Sequence, residues 1–164
     1  MYIESVNATG RYEVKCLDAN GNIKWEDLIE NLVVTVGKAN LLNVYLASST
    51  QTTAWYLGLV NGATSPTYAD ADTISSHAGW TESTAYSGSN RITVAWNSAA
   101  SGSKASTSTS FSINATATIA GALLTVTQVR ATTTGVLYSA GSFSGGNRSV
   151  VSGDTLNVTY TASV

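Results

Sequence analysis

His77 is the only histidine in the chain and Cys16 the only cysteine. A Ser–His–acid relay must therefore run through His77, with Asp70, Asp72 or Glu82 as the acid near it in sequence. The serines around His77 carry no signal, because the chain holds 22 serines and 23 threonines. The Gly-x-Ser-x-Gly elbow that raises a nucleophile above a sheet is missing. Its nearest likeness, Gly141-Ser142-Phe143-Ser144-Gly145, has Phe143 at the centre. His77 reads instead as a loop histidine that hydrogen-bonds the backbone. Zinc needs a cluster of Cys and His, which one of each does not supply. Asp18, Asn20 and Asn22 are spaced like a calcium loop, but Gly21 falls at the fourth position, where an EF-hand needs its glycine at the sixth and Glu at the twelfth. A hairpin turn explains that string better. Asp70 and Asp72 read as solvated turn residues or helix caps.

A paired-carboxylate glycosidase is the remaining hydrolytic option. Its candidates beyond residue 50 are Asp70, Asp72, Glu82 and Asp154, from ten acids in all. Cys16 alternates with Tyr12 and Val14 on an apolar strand face, so it reads as a small buried hydrophobe. No glycine-rich phosphate loop is present. The expectation is a protein that is not an enzyme, with no catalytic residues, cofactor or metal. The aromatics say more. Trp55, Trp80 and Trp96 read as core filling. Trp25 sits on a hairpin, where core and partner contact are equally good readings.

The elements that position these residues are mostly strands. Arg11–Leu17 alternates, with Tyr12, Val14 and Cys16 on one face. Asn20-Gly21 is a tight-turn pair, and Ile23 and Trp25 alternate after it. Residues 11–26 are thus expected to form a β-hairpin with one apolar face. An isolated hairpin is marginal in water, so that face must pack on the body or on another protein. Tyr12, Val14, Ile23, Trp25 and Leu32 are the expected partner contacts. Leu32–Val36 is a short β-branched run. Leu41, Leu42, Tyr45 and Leu46 fall at helical spacing, which predicts a helix over about 38–47. Beyond it, strands are expected at 55–60, 80–85, 91–96, 111–115, 119–129, 135–140 and 156–160. A helical turn is expected over 73–77, and 98–110 reads as a low-complexity mobile loop. Charge concentrates in the first fifty residues, which predicts an N-terminal arm over 1–50 and a body over 51–164. Deleting residues 1–30 is then expected to leave the body folded. The fold class expected is mostly β: a β-sandwich or jelly-roll body, a hairpin arm and one short helix.

Composition narrows the function. Charged residues are 11% of the chain, against roughly a quarter in an ordinary domain. Net charge is −2, and the eight Lys and Arg are scattered, so no nucleic-acid partner is expected. No apolar run approaches a membrane span and no signal peptide is apparent, so neither a membrane partner nor secretion is expected. A lone cysteine suits a reducing cytoplasm. A hydroxyl-coated, weakly charged surface lets many copies sit side by side at little Coulomb cost.

Several strings resemble a known group. Trp55-Tyr56-Leu57-Gly58-Leu59-Val60, Thr67-Tyr68-Ala69, Ala71-Asp72-Thr73 and Ser76-His77-Ala78-Gly79-Trp80-Thr81-Glu82 look like small structural proteins of tailed bacteriophages. So do Ser149–Tyr160, the segment from Val14 to Trp25, and Glu30-Asn31-Leu32-Val33. The resemblance covers most of the chain and implies a head decoration, or cement, protein of the virion. It would be made in the host bacterial cytoplasm and would sit on the capsid surface. Its partners would be the major capsid protein and further copies of itself, as a dimer or trimer. The alternative is a tail or fibre component that joins tail parts or binds host surface sugar.

Overall fold

The structure is a computed structural model and describes residues 7–130 and 132–164. It is mostly β, with two antiparallel sheets and one helix. The elements run β1 (Thr9–Leu17), β2 (Ile23–Glu30), β3 (Leu32–Val33), α1 (Thr35–Leu46), β4 (Trp55–Asn61), β5 (Ile92–Val94), β6 (Ser103–Ala105), β7 (Thr109–Ser112), β8 (Ala117–Thr125), β9 (Leu137–Ser142), β10 (Arg148–Val150) and β11 (Thr155–Ser163). The first sheet has the order β2-β1-β11-β6, with β7 also on β11. The second has the order β3-β9-β8-β4-β5, with β10 also on β8.

The two sheets read differently in sequence because they are covered differently. In β1 and β11 buried and more exposed residues alternate, so one face meets the core and the other meets water. From Ile119 to Thr125, β8 is buried at every position. Its inner face joins the main core with Leu57, Leu59, Tyr12, Phe111 and Tyr160. Its outer face lies under a second cluster, in which Val34, Ile74 and Trp80 pack on Val60, Ala120, Leu123 and Leu137. The loop over residues 66–80 supplies that cover.

The expected hairpin forms, and Gly21 takes the positive φ (+85°) that its turn requires. It is not an arm. β1 pairs with β11 over nine residues, from Thr9↔Ser163 to Leu17↔Thr155, and so lies inside the first sheet. β3 pairs with β9 in the second sheet. Both sheets therefore draw strands from either side of residue 50. Residues 1–6 of the expected arm lie outside the described residues. The expected mobile loop over 98–110 instead carries β6 and the start of β7, both paired to β11. The serine and threonine hydroxyls there serve the pairing: Ser106 Oγ accepts from the Tyr160 N–H at 2.9 Å. Residues 80–85 make one isolated bridge, Glu82 to Val60, rather than a strand. Residues 73–77 form a turn closed by Thr73 and Ser76, not a helix.

The helix starts three residues before the expected position. It has no side-chain N-cap, no acidic residue in its first turn and no basic residue in its last. Its anchorage is steric. A Cβ on Gly37 would overlap the carbonyl of Tyr138, so only glycine lets the helix lie against β9.

Candidate interaction surfaces

Each acid considered for catalysis has its own structural partner. The Trp80 indole N–H and the Ala69 N–H donate to Asp72 at 3.0 and 3.1 Å. His77 Nδ1 lies 3.0 Å from the Trp80 carbonyl, and its ring stacks on the Trp80 indole at 3.9 Å. His77 and Asp72 thus hold one tryptophan from two sides, as a plug on the second sheet. Glu82 is gripped by Arg91, Asp70 faces Lys38 at 3.5 Å, and Asp154 accepts from Lys24 at 2.6 Å and from the Val151 N–H. Asp18 closes the hairpin turn, accepting from the N–H groups of Asn20 and Asn22. Those bonds, led by Asn22, hold its carboxyl below the usual range. Among the described residues no three His, Cys, Asp or Glu side chains group to hold a metal.

Burial pushes the Cys16 thiol up to about 11, and the nearby Asp154 charge adds to this. Burial likewise raises Tyr12 and Tyr160, whose rings meet at 4.5 Å in the core. Tyr12 also hydrogen-bonds Ser139 Oγ at 2.7 Å, stitching the two sheets together.

The expected partner contacts divide. Tyr12 and Val14 are buried in the protein's own core, so in the folded chain they are not available to a partner. Leu32 is half-buried on the second cluster. Trp25 is half-buried, edge-on to Phe143 at 5.4 Å, with Arg148 over its ring. Only Ile23 of the five stands exposed, joined by Leu28 on the same strand. The bulge between Cys16 and Leu17 shifts the register of β2. The core face of β2 is continued by Asp27 and Ile29. Asp27 is buried against Arg148 at 2.5 Å and Ser144 at 2.8 Å.

Among the described residues the largest apolar exposure lies on α1. Leu42, Tyr45 and Leu46 are 56%, 86% and 73% exposed, and Leu41 stands beside them. Helical spacing was visible there, but it marks an outward ridge rather than a core face. No charged residue occurs from Ala39 to Ala69. The chain leaves the helix through Ser48 at φ +55°, a left-handed exit made without glycine. Comparison with known protein families and with curated proteins gives no match. Among the described residues no helix is long and apolar enough to cross a membrane.

Proposed function

We propose that the protein is a structural component of a tailed-phage particle, bound to the capsid exterior as a decoration or cement protein. The observation that carries this reading is the α1 ridge. Three large apolar side chains stand in water on a charge-free segment, and contiguous exposed apolar surface of this kind marks protein contact sites. The C-terminal half of α1 has little of its own core to lie on, and a twelve-residue helix is marginal without packing. A docking partner would complete it. The outer face of the first sheet, with Thr155, Thr159 and Thr161 on β11 and the charged Arg11, Glu13 and Lys15 on β1, offers a second, wetter surface for neighbouring copies.

The mechanism is multivalent clamping. Each copy makes a modest interface with the major capsid protein. Self-association then raises the local concentration of the next contact, so that a bridged shell resists expansion and bursting. The resemblance in the sequence and this surface support the same reading.

The test is co-sedimentation of the protein with purified, undecorated heads. The triple substitution Leu42→Ser, Tyr45→Ser and Leu46→Ser removes the ridge while leaving the core untouched. Expected are saturable binding in many copies per head by the wild type, and loss of binding by a triple variant whose circular dichroism is unchanged. Undiminished decoration by the triple variant would remove the ridge from the mechanism. A handful of copies per particle would favour a tail location.

A further inference from the structure

A pocket of about 530 Å³ opens at the end of the sandwich beside α1. That volume falls within the roughly 300–1,000 Å³ of small-molecule sites. Its walls come from both sheets: Trp55, Leu124 and Tyr138 from one, Tyr160 and Ala162 from the other. Trp55 is edge-on to Tyr138 at 5.4 Å, Tyr138 is edge-on to Tyr160 at 6.4 Å, and Trp96 is edge-on to Tyr160 at 6.2 Å. The rings brace one another, so the cavity is preformed.

The polar lining of this pocket is uncharged apart from Lys104: Gln51, Thr52 and Thr53 can both donate and accept. The Tyr138 hydroxyl makes no hydrogen bond to a described side chain or backbone group, while burial of its ring raises its pKa. Lys104 stands on the rim, and no acid lines the pocket. Among the described residues, six of the eight cations have a carboxylate partner: Arg11, Lys15, Lys24, Lys38, Arg91 and Arg148. Arg130 is tied to the carbonyls of Gly88 and Ser89 and lies over the Tyr86 ring. Among the described residues Lys104 has only the Asn97 carbonyl, at 2.9 Å, which occupies one of its three N–H donors. Apolar aromatic walls and a rim cation that has no acid among the described residues together select an apolar body with an anionic head.

We infer that the open end of the sandwich binds a small amphipathic carboxylate, its apolar body between Trp55, Trp96 and Tyr138 and its carboxylate at Lys104. This site borders the α1 ridge at Leu41 but uses none of Leu42, Tyr45 and Leu46, and it stands whether or not the protein decorates a capsid.

Trp55 and Trp96 make the pocket visible to intrinsic fluorescence. Octanoate, kept below its micellar range, is titrated into the wild type, with 1-octanol as the uncharged comparison. Lys104 is exposed, so Lys104→Met tests the head contact without touching the core. Expected is saturable quenching by octanoate that weakens about tenfold in Lys104→Met, as for loss of one charged hydrogen bond. Octanol binding is expected to be equal in both. The double variant Leu42→Ser, Tyr45→Ser is expected to bind octanoate as the wild type does. No saturable quenching in the wild type, equal octanoate affinity in Lys104→Met, or loss of binding in the double helix variant would each overturn the inference.

Discussion

Arg91 is 3% exposed and joins three separate segments through its side chain. Its Nε and Nη2 donate to the two Glu82 carboxylate oxygens at 3.0 and 2.8 Å, and its Nη1 donates to the carbonyls of Thr127 and Val129 at 2.8 and 2.9 Å. The node thereby ties together the start of β5, the segment that bridges to β4 and the chain just beyond β8. Arg91→Met would leave a largely buried carboxylate without its counter-charge and two carbonyls without their donor. Removing one partner of such a pair costs about 3–5 kcal/mol, a large share of the roughly 5–15 kcal/mol that holds a domain folded. Urea unfolding at constant m value is the assay. The midpoint should fall sharply in Arg91→Met. It should recover in part in the double variant Arg91→Met, Glu82→Leu, which removes the stranded charge as well. A loss below about 1 kcal/mol in the single variant, or a double variant no more stable than the single, would refute the argument that the uncompensated carboxylate dominates.

Three further outcomes follow from the same structure. Deleting residues 1–30 removes β1 from the middle of the first sheet, so the remainder should lose its cooperative unfolding transition; a truncated chain that melts like the full one would show that β11 finds another partner. Burial raises the Asp27 carboxyl, but Arg148, Ser144 and the Leu28 and Gly145 N–H groups more than reverse this and leave it below its ordinary value. Its stabilisation is therefore present above the unfolded pKa of about 4 and is lost as pH falls through the lower folded value. Asp27→Asn should flatten that acid limb of the stability curve while lowering stability at neutral pH. Cys16 is buried with its thiol raised to about 11, so a thiol reagent at neutral pH should react only as fast as the protein opens; rapid labelling of the native protein would contradict its placement.

What could be read from the sequence was whatever depends on neighbours in the chain. The Asn20-Gly21 turn, the alternation of Tyr12, Val14 and Cys16, and the strand expected at 156–160 all depend on local pattern, and all three segments form as read. The misread features depend on partners far away. Tyr12 and Val14 looked available to another protein because their own partner, β11, lies at the other end of the chain. Asp27 is a charge in the core face of β2, legible only once Arg148 is placed beside it. The serine-rich stretch around Ser106 looked too poor in apolar residues to order, but it is held by backbone pairing to β11 and by the buried hydroxyl of Ser106, which accepts from the Tyr160 N–H. α1 was found from its spacing, yet its orientation follows from Gly37, whose missing side chain matters more than the leucines present. The sandwich-end pocket draws on five separate strands and on α1, and no linear pattern marks it.

Because β11 is seated between β1 and the β6/β7 pair, the hairpin leaves the ribosome long before its neighbour exists. At synthesis rates of about 5–20 residues per second the interval is on the order of ten seconds. Throughout it, β1 presents an unsatisfied backbone edge and the side chains of Tyr12, Val14 and Cys16 to whatever is nearby. In a cell making many copies at once, the nearest unfinished hairpin belongs to another nascent chain. Yield should therefore respond to translation speed, temperature and holdase chaperones more than to the stability of the finished fold.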